Sequence, residues 1–317
     1  MPSALLKKNS AEPRELIKPK RLKPGDTVAF TAPAGLVRDR SDFQRMQKAM
    51  ESLELNVKFG EFVREGFGYL AGRDYQRALD LNRFFSDPEV DAIIAVRGGW
   101  GCARILPYID FDRVRNHPKI FCGFSDITTL HLSFLKECGL ITFHGPNGAS
   151  EWTDLTTHSF KRVLMEGAPA VFQSKSSTTV IRGGAADGRL IGGNLTILTT
   201  SLGTSYQPDT KNAILFVEDI GEPPYKVDRM LTHLARAGVL DKIKGFVFGQ
   251  CTNCPETTDT NFTLREILSH HIRPLEVPAV MGVDIGHDDD NFTIPLGVEA
   301  RLDANTGIIS LKERAVL

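Results

Sequence analysis

The strongest constraint on this chain is an alternation of two periodicities. Residues 27–32 (TVAFTA) form a short β-rich run closed by Pro33 and Gly35. Phe43, Met46, Met50 and Leu53 then recur at helical intervals, with Ser41 and Gln44 spaced as a capping box. Ala78, Leu81, Phe84 and Phe85 mark a second helix. Residues 90–96 (VDAIIAV) follow as a strand of the kind buried on both faces. The same order repeats in a strand over 119–124, a helix carrying Ile127, Leu130, Phe134 and Cys138, and a short strand over 141–144. Strands separated by helices require right-handed crossovers, so the expected fold is α/β. Its first part is an N-terminal parallel sheet of flavodoxin or Rossmann type, covered on both faces.

The chain has 317 residues, about two ordinary domains by length. Residues 148–179, rich in Ser, Thr and Lys, show little periodicity and read as a linker or flap. Beyond them, Ala186-Asp187-Gly188 is turn-like, and Gly192-Gly193-Asn194 is a turn into a short helix. Residues 214–217 are a buried strand, Val227, Met230, Leu231 and Leu234 give a helix stopped by Gly238, and residues 246–248 and 279–283 are further strands. A hairpin is expected from 293–302 and 308–311 around Asn305-Thr306-Gly307. The resulting division is a basic extension over 1–19, a first domain over 20–149, the flap over 150–179, and a smaller α/β domain with mixed β structure over 180–317. A cleft lies between the two domains.

A net charge of −1 offers no field for nucleic acid or an anionic membrane. It conceals a basic start, with seven Lys or Arg against two Glu in the first 24 residues. That segment reads as a frayed extension or a variant targeting peptide; it lacks the apolar stretch of a secretory signal. No window approaches the roughly 18 apolar residues of a membrane span. Five cysteines without framework spacing imply reduced thiols and a cytoplasmic location.

Sites in parallel α/β sheets lie beyond the carboxyl ends of strands, which directs attention to the turns. Arg97-Gly98-Gly99-Trp100-Gly101 follows the buried strand and lets backbone N–H groups approach a ligand or a developing anion; a bland tight turn would look the same. Gly123-Phe124-Ser125-Asp126 joins a strand to a helix, where Ser125 is either a nucleophile or a helix cap. A nucleophilic serine needs a histidine base, and the base a carboxylate to orient it. Of eight histidines, His144 and His287 follow apolar strands, while the other six read as ordinary surface or helix residues. Glu218, with Asp219 beside it, ends an apolar strand where an acid costs desolvation. Cys251-Thr-Asn-Cys254 has zinc or redox spacing without a second ligand pair. Asp288-Asp-Asp-Asn291 resembles a calcium loop but has Thr293 where glycine is required, so it reads as a solvated acidic loop.

Arg97-Gly-Gly-Trp-Gly with Arg104, Pro118-Lys119, Gly123-Phe-Ser-Asp-Ile-Thr128, His144-Gly-Pro146, Gly192-Gly-Asn-Leu195, Glu218-Asp219 and Gly286-His287 occur in the order seen in the LD-carboxypeptidases, peptidase family S66. The chain resembles that family from about residue 20 to its end. The family includes murein-recycling enzymes and microcin C self-immunity hydrolases. The resemblance implies a Ser125 nucleophile, a His287 base oriented by Glu218, and an oxyanion hole from the N–H groups of Gly99 and Asp126. It also implies a small peptide substrate such as a muropeptide, no metal or other cofactor, and homodimers. Arg97, Trp100, Arg104 and His144 are the candidate substrate-binding residues. Trp100 stands where many members have tyrosine.

Overall fold

The structure, a computed structural model, describes residues 15–255 and 262–317. Its first half runs β1 (Thr27–Thr31), α1 (Ser41–Glu51), β2 (Asn56–Phe59), α2 (Asp74–Ser86), β3 (Ala92–Ala95), α3 (Cys102–Ile105), α4 (Phe111–Asn116), β4 (Ile120–Gly123), α5 (Thr128–Cys138) and β5 (Phe143–His144). β3 and β4 are buried at every residue, which is why the sequence offers uninterrupted apolar runs there. Phe43, Met46 and Met50 of α1 and Ala78, Leu81, Phe84 and Phe85 of α2 bury the faces that the helical spacing predicts. The Ser41–Gln44 capping box does not form. Arg40 is the residue before α1, and the Ser41 N–H donates to Asp39 Oδ1 at 2.8 Å instead.

The remaining elements are α6 (Asp154–Phe160), β6 (Val171–Phe172), β7 (Thr179–Arg182), β8 (Ala185–Asn194), α7 (Leu195–Thr200), β9 (Ala213–Ile220), α8 (Pro224–Arg236), β10 (Gly245–Thr252), α9 (Leu264–Ile272), β11 (Ala279–Met281), β12 (Ile294–Pro295), β13 (Glu299–Asp303) and β14 (Ile308–Leu311). They complete two sheets. The first has the order β12-β5-β4-β3-β1-β2, parallel except for β12. The second, β6-β14-β13-β8-β9-β10-β11-β7, is parallel over β8 to β11 and antiparallel at both flanks. The expected α/β architecture, a parallel sheet plus a mixed one, is what forms.

Several local expectations change. The flap stretch contains α6, which widens into a π-helical turn over Lys161–Met165 and buries Phe160, Val163 and Leu164 in the core. Its polar residues hid an apolar face too short to register as periodic. Ala186-Asp187-Gly188 lies inside β8, because a Cβ at Gly188 would sit 2.5 Å from the Asn212 carbonyl oxygen and only glycine admits that approach. The β13–β14 hairpin forms, whereas β12 leaves it to pair with β5 of the other sheet.

Residues 1–14 of the basic extension lie outside the described residues. Residues 15–19 are docked: Ile17 bridges Leu140, Lys18 pairs with Glu313 at 2.6 Å, and the Leu317 N–H donates to the Pro19 carbonyl. The expectation of five reduced thiols is also corrected. Cys251 and Cys254 form a disulfide across the turn that ends β10, where their Cα atoms are 5.4 Å apart. Cys102, Cys122 and Cys138 are buried. Among the described residues no helix is long and apolar enough to cross a membrane, and no cluster of His, Cys, Asp or Glu is arranged to hold a metal ion.

Candidate active site

In the first sheet the strand order reverses between β1 and β3, so the loops that follow them lie at the switch point of the sheet. The two loops are tied by the Gly35 N–H donating to the Gly98 carbonyl at 3.1 Å. Because that peptide is trans, the Gly99 N–H points away from Gly35, and it has no acceptor among the described residues. β4 is the next strand over, and the turn leaving it carries Ser125.

Ser125 has φ +69°, a left-handed conformation that costs a side-chain-bearing residue of order 1 kcal/mol or more. It opens a 3₁₀ turn, Ser125–Ile127, that leads into α5, yet no side-chain cap bond forms at either helical start. The helix-cap alternative therefore falls: the Ser125 hydroxyl makes no cap bond in the strand-to-helix turn. Glycine is needed opposite it, since a Cβ at Gly98 would lie 2.6 Å from Ser125 Cβ and 2.9 Å from its Oγ. Three buried groups fix the turn. Asn147 Oδ1 accepts the Phe124 N–H at 3.2 Å, His131 Nε2 meets the Gly123 carbonyl at 2.8 Å, and Asp126 Oδ2 accepts the Cys102 N–H at 2.8 Å, tying the glycine loop to the serine turn. Burial raises the Asp126 pKa and lowers that of His131 to about 4, so this histidine, a helix residue of α5 as expected, is a neutral buried scaffold.

The second sheet and the loop after it bring an acid and a histidine together. Glu218 is fully buried near the end of β9, and its Oε2 lies 2.6 Å from Nδ1 of His287, whose side chain is 12% exposed. This pairing turns the imidazole so that Nε2 is its outer nitrogen. The Phe124 ring, next in sequence to Ser125, packs edge-on against His287 with centroids 4.7 Å apart. The His287 loop is held from the former flap. Thr156 Oγ1 donates to the Asp289 carbonyl at 3.1 Å and accepts the Asn291 N–H at 3.0 Å; Thr153 Oγ1 reaches Asp290 Oδ1 at 2.5 Å. Asn291 Oδ1 accepts the Gly286 N–H at 3.2 Å. The supposed solvated acidic loop is thus pinned by α6. Neither Thr156 nor Asn147 had a signal in the sequence, because a lone polar residue becomes conspicuous only once it is buried.

A serine in a strained turn, a buried carboxylate–histidine pair and a glycine loop at a switch point are accompanied by matching family models. The LD-carboxypeptidase N-terminal domain matches residues 28–145 and the C-terminal domain residues 187–302. The chain belongs to the LD-carboxypeptidase family.

Among relatives of this LD-carboxypeptidase family member, a "probable murein peptide carboxypeptidase" of Bacillus subtilis (strain 168) is 39% identical over 295 residues, covering 90% of this chain and 91% of the relative. The microcin C7 self-immunity protein MccF of Escherichia coli is 26% identical over 327 residues, covering 92% and 94%. The crystal structure of muramoyltetrapeptide carboxypeptidase from Oxalobacter formigenes superposes with a TM-score of 0.80 at 32% identity, covering 90% of this chain and 97% of that one. These relationships make the protein a peptidase of carboxypeptidase type.

The four peripheral candidates of this LD-carboxypeptidase family chain divide. Arg104 is committed to Asp74, with Nε and Nη2 at 3.1 and 2.8 Å from Oδ2. His144 is fully buried between Phe124 and Phe216, and burial lowers its pKa well below the usual value. Arg97 is exposed beside the glycine loop, bonded to the Leu36 carbonyl at 3.2 Å, with further N–H donors left over. Trp100 is 49% exposed, edge-on to Tyr69 at 5.7 Å.

Proposed function

We propose that the protein is a serine carboxypeptidase acting on murein tetrapeptides, cleaving the amide between the L-centre of the diamino acid and the terminal D-alanine. The observation that carries this reading is the 2.6 Å bond between buried Glu218 and His287, which orients a base across the cleft from a serine held at positive φ.

His287 takes the Ser125 proton as Oγ attacks the carbonyl carbon, then gives it to the departing D-alanine amine; water hydrolyses the acyl-enzyme by the same relay in reverse. Glu218 keeps the imidazole in the tautomer with Nδ1–H and stabilises the imidazolium. The oxyanion is met by the N–H of Gly99 and that of Asp126, the second residue of the 3₁₀ turn, where first-turn N–H groups lack intrahelical acceptors. Each donor contributes about 3 kcal/mol to the transition state. Arg97 holds the carboxylate of the D-alanine, and Trp100 walls the same end of the cleft. Arg104 and His144 have no part in substrate contact in this scheme.

The test is Ser125→Ala with a tetrapeptide substrate: hydrolysis should collapse while the thermal unfolding midpoint stays near wild type. Intact turnover would overturn the mechanism. Retained ligand binding by a wild type that never turns over would instead indicate a two-domain binding protein. Side-by-side turnover of the tetrapeptide and a peptidyl-nucleotide conjugate decides between muropeptide and microcin-type substrates; the resemblance to MccF gives the second its place in the assay.

A further inference from the structure

Asp219 follows Glu218 on β9, so its side chain turns to the opposite face of the strand. It is 2% exposed, and four donors surround its carboxylate: Asn194 Nδ2 at 3.1 Å, the Thr196 N–H at 3.0 Å, Thr196 Oγ1 at 2.9 Å and its own neighbour's N–H, Ile220, at 2.9 Å. Asn194 passes the connection on. Its Oδ1 caps α7 through the Ile197 N–H, and its backbone N–H donates to Thr128 Oγ1 at 3.0 Å. Thr128 is the first residue of α5, three positions after Ser125. The contact is close, since a Cβ on Gly193 would lie 2.5 Å from that hydroxyl. The strand that presents Glu218 on one face therefore grips the head of the nucleophile helix from the other.

We infer that Asp219 is a positioning residue that acts through Asn194 on Thr128, setting the distance across the cleft between Ser125 and the Glu218–His287 pair. This inference rests on the serine peptidase reading. Two adjacent residues on one strand then serve two tasks, Glu218 aligning the base and Asp219 aligning the nucleophile's helix to that base. Misplacement by about 1 Å can cost on the order of 100-fold in rate, so losing the clamp should act on kcat and spare ground-state binding.

The experiment compares kcat, KM and the thermal midpoint for tetrapeptide hydrolysis in Thr128→Val, Thr128→Ser, Asp219→Asn and the Thr128→Val/Asp219→Asn double variant. Thr128→Val and Asp219→Asn are each expected to lower kcat about 10- to 100-fold with KM within about threefold. Thr128→Ser, which keeps the hydroxyl, should return kcat to within about threefold of wild type. The double variant should fall no more than about threefold below the worse single one, as members of one chain of contacts do. A folded Thr128→Val enzyme with wild-type kcat, or losses that multiply in the double variant, would overturn the inference. If Asp219→Asn does not fold, the Val and Ser variants of Thr128 decide alone. Ser125→Ala run in parallel separates the two readings. Retained turnover there defeats the serine mechanism, whereas its collapse beside an unaffected Thr128→Val defeats only the clamp.

Discussion

The Ser125 turn and the Glu218–His287 pair hold their geometry by different means. On the Ser125 side the geometry is written into the backbone: a left-handed serine, a neighbouring glycine that no Cβ can replace, and a turn fixed by N–H and C=O contacts to buried Asn147, His131 and Asp126. On the His287 side it is written into side chains, with one buried carboxylate gripping one imidazole and threonines at the start of α6 pinning the loop behind it. Backbone placement fails through added bulk. Side-chain placement fails through loss of one charge, so the two sides should respond to different substitutions.

The largest effect is expected from the base side. Glu218→Gln keeps shape and removes charge, permitting the wrong imidazole tautomer, and should lower kcat about 10³- to 10⁴-fold with little change in KM. A loss under tenfold would show that the carboxylate does not orient the base. Next comes the backbone side, where Gly98→Ala forces a methyl to within 2.6 Å of Ser125 Cβ. Steady-state kinetics should show a kcat loss of about 100-fold, with the Glu218–His287 pair intact. Unchanged activity would show that the glycine loop can retreat.

The two arginines refine the comparison within the Ser125 side. Arg97→Met should raise KM about tenfold or more for a substrate with a free terminal carboxylate, and not for its amide. Arg104→Met, which breaks the exposed pair with Asp74, should leave KM within about twofold and the thermal midpoint near wild type. The reverse ranking would exchange their roles.

The smallest effect concerns pH. His131 titrates near 4 when folded and near 6.5 when unfolded, so the unfolded state binds the extra proton between those values. Its contribution is complete above about pH 6.5 and is lost as pH falls towards 4, by about 3 kcal/mol. His131→Gln, whose amide can still donate to the Gly123 carbonyl, should flatten the fall in thermal midpoint between pH 7 and pH 5. Parallel curves for the two proteins would refute the assignment.

What was legible in the sequence follows the same division. Residues 90–96 read as a buried strand because 92–96 are buried at every position, and Ser125, Glu218 and His287 stood out because each lies near the end of, or soon after, an apolar strand. The supporting groups were not legible. Thr156 and Thr128 are ordinary threonines until the fold buries them against the His287 loop and the end of β8, where residues 192–194, expected as a turn, lie in the strand. α6 was hidden in a polar stretch because only its buried side is apolar. The engagement of Arg104 with Asp74 and the enclosure of His144 were not legible either: proximity in sequence to a turn does not say whether a side chain is already engaged or enclosed. The Cys251–Cys254 pairing was missed because an odd cysteine count was read for the whole chain, without regard to a turn that joins two of them.

In the proposed mechanism Ser125 is the nucleophile, activated by His287 from the facing sheet. The most direct measurement is labelling with a serine-reactive fluorophosphonate, followed by peptide mapping by mass spectrometry. One adduct on Ser125 is predicted, slowed by tetrapeptide and by Glu218→Gln and absent in Ser125→Ala. Full tetrapeptide hydrolysis by an enzyme whose Ser125 is never modified, or an inactivating adduct on another residue, would contradict it.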